Sequence, residues 1–448
     1  MGGIKKQYGL LTAISMVIGC VIGSGVFFKA ETVSRITEGD MTIGILAWSI
    51  GGAVMLMCLL VFARLSSHYA GDGGIVLYAK ETVGNTYAYY TGWFTGTIYY
   101  PSLVSVLAWL SARYTLLFIG SKNESGGLCM LLSCIFLVIS FAQNTFLPVF
   151  SGRFQVVTTV IKLIPLVLMM ILGTTGGIAS GVLRENFSIR TQTESGYTLF
   201  AAITATAFAY EGWIAATSIG GELKNSRKNL PLALILGGLA VAAVYVVYYI
   251  GICGAVSADL LVNNSSRGIR AAFDSIVGEK AGGMLTAFVA VSCLGALNGL
   301  TLGNSRAMYN LTKLPNANLS RAFSRVDADT GMPFASSVAG LIFSMVWLLF
   351  YYGAKISDTP LFMGFGFDSS ELGVISAYAM YVPMFFMFMK KHYKEAPFKN
   401  ILLPLCGIGS SVFLIVCALF AHKNDVSDYI LTFTGVMLMG TLFYRRRK

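Results

Sequence analysis

LLTAISMVIGCVIGSGVFF, from Leu10 to Phe28, is apolar enough to enter a bilayer as a helix, yet Gly23-Ser24-Gly25 interrupts it near the middle of an apolar segment running from 9 to 36. A second apolar segment, 198 to 222, is interrupted in the same way at Tyr210-Glu211-Gly212-Trp213. A continuous helix satisfies its own amides and carbonyls, so backbone polar groups reach a ligand at mid-membrane only where the helix unwinds. The half-helix that restarts after such a break presents amides and the positive end of its dipole, which suit a carboxylate. The half-helix that stops before the break presents carbonyls, which suit an ammonium group. Both ends side by side suit a zwitterion such as an amino acid.

The rest of the chain has the same character. Its 448 residues are 55% hydrophobic and 12% charged, about half the charge of a soluble domain. Mean hydropathy is +0.70. Blocks such as Ile43 to Ala63, Phe154 to Gly173 and Leu232 to Ala255 approach the ~20 residues that a helix needs to cross ~30 Å of hydrocarbon. Uninterrupted apolar runs exclude a β-barrel, whose strands would alternate in polarity over ~10 residues. The composition therefore predicts an all-α, polytopic membrane protein. Gly2 to Gly9 is short and polar, and no small-residue cleavage site follows it, so the first segment reads as a retained membrane helix. All eight cysteines fall in or beside apolar segments, where small buried side chains are the expectation.

Apolar runs and their polar breaks give twelve transmembrane helices: 9 to 36, 41 to 65, 86 to 118, 127 to 143, 154 to 174, 198 to 222, 231 to 255, 283 to 311, 334 to 353, 366 to 389, 400 to 421 and 428 to 444. The first and sixth segments, the broken ones, occupy matching places if residues 9–174 and 198–389 form a 5+5 inverted repeat within one transporter domain, 1–448, with 400–444 as two peripheral helices. Paired broken helices in corresponding positions point to a transporter's substrate site. Ile269, Ala272, Phe273, Ile276 and Val277 recur at helical spacing and predict an amphipathic helix over the bundle, either a structural cap or a moving lid. Residues 66–82 end in a further amphipathic run around Tyr78.

These motifs resemble those of the amino acid, polyamine and organocation (APC) transporter superfamily, above all the L-type amino acid transporter branch with its bacterial serine/threonine-exchanger-like members. IGSGVFF (Ile22 to Phe28) is similar to that family's first broken helix, FAYEGW (Phe208 to Trp213) and GGELKNSRKNLP (Gly220 to Pro231) to its sixth helix and following loop, and LGALNGLTLGNSRAMY (Leu294 to Tyr309) to its eighth. The resemblance covers segments one to ten. Arg64 stands where the family usually has glutamate, Ala70 replaces a proline and Val76 a tyrosine, departures that bear on the cytoplasmic gate. Heteromeric animal members carry a cysteine between the third and fourth segments that bonds a heavy chain. Residues 119 to 126 contain none and Cys129 falls within segment four, so no disulfide-linked heavy chain is expected.

The resemblance implies that backbone amides of Gly23, Ser24 and Gly25 hold the substrate carboxylate, with close packing of small residues as the alternative reading. Carbonyls of Val21 and Ile22 on one side, and of Phe208 and Glu211 on the other, would meet the ammonium group. The sixth-segment break as a whole, Phe208, Ala209, Tyr210, Glu211, Gly212 and Trp213, is assigned to substrate binding, with Phe208 matching the family's aromatic gate. Ser292 and Asn298 on segment eight join them, with Cys293, Tyr99 and Tyr100 as weaker neighbours. Lys162 is the only basic residue near the centre of its segment, at an insertion cost of ~3 kcal/mol. In the resembling branch such a lysine stands in for a sodium ion, which implies sodium-independent transport; a lysine snorkelling to an interface is the alternative. Glu211 could take up a proton, attract the substrate ammonium, pair with Lys162, or sit neutral against backbone.

The resulting expectation is a secondary transporter, a sodium-independent exchanger (antiporter) or permease of small neutral L-amino acids working by alternating access. A proton-coupled or cationic amino acid or polyamine transporter, and a non-transporting amino acid sensor on the same fold, are the alternatives. An enzyme is disfavoured: HExxH is missing, and His68, His392 and His422 lie at segment ends or in loops, so no metal cluster or cofactor is foreseen. The net charge of +11 is dispersed along the chain and suggests no nucleic acid partner. With the amino terminus inside, the inner side carries 20 of the 32 basic and 6 of the 21 acidic residues, the outer side 11 and 14, and Lys162 and Glu211 stay in the membrane. That asymmetry predicts a cell membrane protein, in contact with lipid, with both termini cytoplasmic and an oligomeric state left open.

Overall fold

The computed structural model describes residues 8–71, 73–121, 124–190, 195–263, 268–278, 283–356, 366–421 and 425–445. Lys5, Lys6, Asp72, Lys122, His422 and Arg446 to Lys448, used in reading charge and histidines above, lie outside the described residues. Among the described residues the architecture is helical, and the β-type pairings are two isolated bridges, Tyr8 with Leu223 and Ala317 with Tyr444.

Eleven helical stretches among them are long and apolar enough to cross a membrane. In order these spans are Leu10–Ile36, Met41–His68, Asn85–Phe118, Gly127–Phe146, Pro148–Ser180, Tyr197–Ile219, Ser226–Ala255, Leu285–Thr312, Phe334–Ile356, Ser369–His392 and Lys399–Ala421. The twelfth expected segment is present as a shorter helix, Val426–Thr441, of 16 residues. The fifth span is longer than its apolar run suggested, because Pro148 opens it as a first-turn proline. Asp40 caps the second span by accepting from the backbone amides of Thr42 (2.9 Å) and Ile43 (3.1 Å). Asp368 caps the tenth through the Ser370 amide (2.9 Å).

Burial separates centre from periphery. The first, third, sixth and eighth spans are buried over 72%, 72%, 78% and 72% of their most apolar stretches, against 33% for the fourth, ninth and eleventh. The outer helices present rows such as Leu131, Ile135, Val138 and Ile139, or Val157, Val160 and Ile164, to the outside, the pattern of a lipid-facing surface. Small residues let the fifth and seventh spans touch: a side chain on Gly177 would run into the backbone of Gly254. The amphipathic stretch forms a helix, Gly268–Val277, that buries Ile269, Ala272 and Phe273. The run around Tyr78 forms Ile75–Thr82, with Tyr78 buried.

Candidate functional site

The first span stops as a helix at Val21 and resumes at Gly25, with Ile22 extended between (φ −74°, ψ 90°). The sixth stops at Ala209 and continues after Gly212 as a 3-10 turn, Trp213–Ile219. The two breaks lie against one another. A Cβ on Gly25 would sit 2.8 Å from the Cα of Ala209, and one on Gly212 would sit 2.8 Å from the carbonyl oxygen of Cys20. Gly212 also holds φ 108°, a conformation that disfavours any side chain. Tyr245 of the seventh span ties the breaks together, its hydroxyl lying 3.0 Å from the Val21 carbonyl and 3.1 Å from that of Ala209.

Between the breaks and the third span is a small cavity. Gly23, Ser24 and Gly25 form one wall, Phe208 and Glu211 another, and Leu103, Leu107 and Leu300 close it. Tyr99 donates to Glu211 Oε1 at 2.5 Å, whereas Glu211 Oε2 and Ser24 Oγ are buried without a hydrogen-bond partner. Two unsatisfied polar atoms in one small cavity are the signature of a place that takes a polar ligand. At one end of the cavity Phe208 meets Phe28 (centroids 6.0 Å apart), and Lys29 lies over both rings while facing Glu371 at 3.7 Å. Elsewhere in the bundle Arg306, which ends the eighth span's long helix, makes a buried ion pair with Glu222 in the loop after the sixth. The Glu222 carbonyl accepts from the Tyr8 amide (3.1 Å).

Lys162 lies near the middle of the fifth span with no exposed surface, which excludes snorkelling. Its ammonium donates to three carbonyls: Gly19 (2.8 Å), Ile22 (2.5 Å) and Ser292 (3.2 Å). Three donors meet three acceptors, so the charge is fully hydrogen-bonded at the negative end of the first half-helix. The Ser292 hydroxyl adds bonds to the carbonyls of Ile22 (3.3 Å) and Gly23 (3.0 Å).

Several sequence assignments shift. The Ile22 carbonyl is engaged by Lys162 and Ser292, and that of Val21 by Tyr245 and the Gly23 amide (2.9 Å), so neither has a lone pair to spare for an ammonium. The Phe208 carbonyl accepts from the Glu211 amide (3.3 Å). Lys162 and Glu211 have separate partners and form no ion pair with each other. Tyr210 points away and donates to the Trp48 carbonyl (2.8 Å), and Trp213 packs on Phe62 (5.2 Å). Asn298 joins a polar cluster with Gln143 (2.6 Å), Ser151 (2.9 Å) and Gln155 (2.9 Å), outside the cavity wall. Ala209 serves as the close-packing partner of Gly25. Tyr245 and Lys29 were missed, because one sits in an aromatic-rich run and the other in a half-helix, and neither position carries a local signal. His68 and His392 lie at segment ends as expected and, though remote in sequence, are neighbours in space with Glu395.

Eleven apolar spans among the described residues, with a small cavity between two interrupted helices, define a polytopic membrane transporter. The family model described as amino acid permease matches residues 8–442, and the chain belongs to that family, whose members are transporters of amino acids and not enzymes. The serine/threonine exchanger SteT of Bacillus subtilis (strain 168) is 29% identical over 81% of this chain and 80% of its own length. The b(0,+)-type amino acid transporter 1 of Homo sapiens is 28% identical over 68% of this chain and 62% of its own length. The aspartate-proton symporter of Bacillus subtilis (strain 168) is 25% identical over 78% of this chain and 68% of its own.

Proposed function

We propose that the protein is a sodium-independent exchanger of small neutral L-amino acids that works by alternating access. The observation that carries this reading is the Lys162 tripod. Carbonyls of Gly19, Ile22 and Ser292 converge as a cage for a monovalent cation, and a tethered ammonium already fills it. The space between the two breaks is small, which favours a compact substrate. The substrate carboxylate binds at the amides of Gly25 and Val26 that open the resumed helix, ahead of Phe27 and Phe28, whose amides donate to the Ser24 carbonyl (3.0 and 3.2 Å). Its ammonium binds toward Glu211, and Phe208 closes over it. Lys29 with Glu371 and Arg306 with Glu222 are the two closures that alternate.

The remaining finer assignments belong to the same reading: a 5+5 inverted repeat over 9–174 and 198–389, both termini in the cytoplasm, and residence in the cell membrane. No heavy chain is disulfide-linked, since Cys129 is buried within the fourth span against the Trp109 carbonyl (3.9 Å). Counterflow in proteoliposomes tests the function. Labelled serine, threonine or alanine is expected to exchange against the same amino acids inside, equally with sodium or with choline. A strict sodium requirement, or saturable binding without exchange, overturns the reading. Proton coupling is a second reading, favoured by the unpaired Glu211 Oε2.

A further inference from the structure

Away from the cavity, on the face where the even-numbered spans end, the last residues of the second and tenth spans converge. His68 ends Met41–His68 and His392 ends Ser369–His392. Glu395 follows one turn later and reaches both imidazoles. Its Oε2 lies 3.1 Å from His68 Nε2 and its Oε1 lies 2.6 Å from His392 Nδ1. One ligand atom from each of the three residues fits within a 4.8 Å circle.

The surroundings orient these atoms. His68 Nδ1 sits 3.0 Å from the Arg64 carbonyl and donates to it, which leaves Nε2, 3.1 Å from a Glu395 carboxylate oxygen, as the position that takes a proton or a metal ion. The outward nitrogen of His392, Nε2, is held by the Tyr69 hydroxyl (2.6 Å). Asn400 donates to the His392 carbonyl (2.9 Å) and accepts from Arg64 (2.8 Å), which bolts the two helix ends together. Outer hydrogen bonds of this kind, from the second ring nitrogen to a carbonyl or hydroxyl, accompany metal-ligating histidines. Two helix C-termini also point their negative dipole ends at the same spot, which favours a cation.

We propose that His68, His392 and Glu395 form a Zn²⁺ site that clamps the end of the second span to the end of the tenth. Two imidazoles and a carboxylate are a zinc donor set, with a fourth position left for water. Bonds of about 2.0–2.1 Å in a tetrahedron put neighbouring donors about 3.3 Å apart, close to the 3.1 Å separating His68 Nε2 from Glu395 Oε2. Glu395 is about half exposed and free to swing the remaining distance. Binding displaces the proton between His392 Nδ1 and the carboxylate to solvent.

Titration of the purified full chain in detergent with ZnCl₂ alone is the test. One ion per chain is expected, together with a rise in melting temperature. His68→Gln and His392→Gln are each expected to weaken binding by more than the ~10-fold that loss of an outer hydrogen bond costs, and Tyr69→Phe by about that factor. Failure of the wild-type chain to bind zinc at micromolar concentration overturns the proposal. So does a His68→Gln/His392→Gln double variant that binds as tightly as wild type. Should the variants fail to fold, the visible spectrum of the Co²⁺-loaded wild type decides: intense four-coordinate bands support the site, and a weak hexa-aquo-like spectrum overturns it.

Discussion

Lys162 and Glu211 are ionisable groups buried where hydrocarbon surrounds the bundle, and each is tolerated for a different reason. Lys162 is satisfied three times over by carbonyls that the broken helix frees, so the break and the lysine stabilise one another. Lys162→Met is expected to strip those carbonyls of a donor at ~1–3 kcal/mol for each buried group left unpaired. The measurable outcome is a lower melting temperature in detergent and at least ~10-fold slower counterflow. Lys162→Arg is expected not to rescue it, since a planar guanidinium cannot reproduce a tripod. Glu211 accepts from Tyr99 and lines the cavity. Glu211→Gln keeps the Tyr99 bond and removes the proton site, so under the second reading it flattens the pH profile of transport. An unchanged profile in reconstituted vesicles assigns Glu211 to substrate binding alone.

At the scale of elements, the interrupted spans are held together by absence of side chains and by one tyrosine. Gly212 carries φ 108° and lies against the Cys20 carbonyl, so Gly212→Ala combines backbone strain with a clash. A loss of ~1–3 kcal/mol is expected from the strain alone, read as a lower melting temperature and a loss of exchange. Gly212→Ala with wild-type stability and transport would mean that the two breaks do not need their close approach. Tyr245 shows why such a junction eluded sequence reading. It lies in a run of tyrosines and valines on an apolar helix, and only the packing of the seventh span against the first gives its hydroxyl the carbonyls of Val21 and Ala209.

For the whole molecule, Phe208 of the cavity wall packs on Phe28 beside the Lys29–Glu371 pair, while Arg306 and Glu222 bridge the eighth span and the loop after the sixth. Arg306 and Glu222 are almost fully buried, so breaking the pair by Glu222→Gln leaves an uncompensated charge at ~3–5 kcal/mol. Water entering along that path relieves the penalty. Glu222→Gln is therefore expected to open this route and to speed alkylation of Cys20, a buried residue of the cavity wall, by a maleimide added from the side on which Arg306 and Glu222 lie. Peptide mapping by mass spectrometry separates Cys20 from the other seven cysteines. Alkylation at the wild-type rate would show that Arg306 and Glu222 do not close the path.

Membrane insertion, helix number to within the short last helix, and the positions of both breaks were legible in the linear chain. Each depends on local quantities: the length of an apolar run, a glycine pair within it, the charge of a loop. Lys162 stood out as the only basic residue near the centre of its segment, and Gly23, Ser24 and Gly25, picked out by the first break, form one wall of the cavity. Which carbonyls are free and which are taken was not legible, because Ile22 and Val21 are engaged by side chains from the fifth, seventh and eighth spans. The same holds for Asn298, drawn into contacts with the fourth and fifth spans, and for His68 and His392, which look like isolated helix ends until the second and tenth spans are set side by side. Local patterning sets where the chain crosses and where it breaks. Hydrogen bonds and ligand sets depend on distances of about 3 Å between residues far apart in the chain, and those distances exist only once the helices have packed.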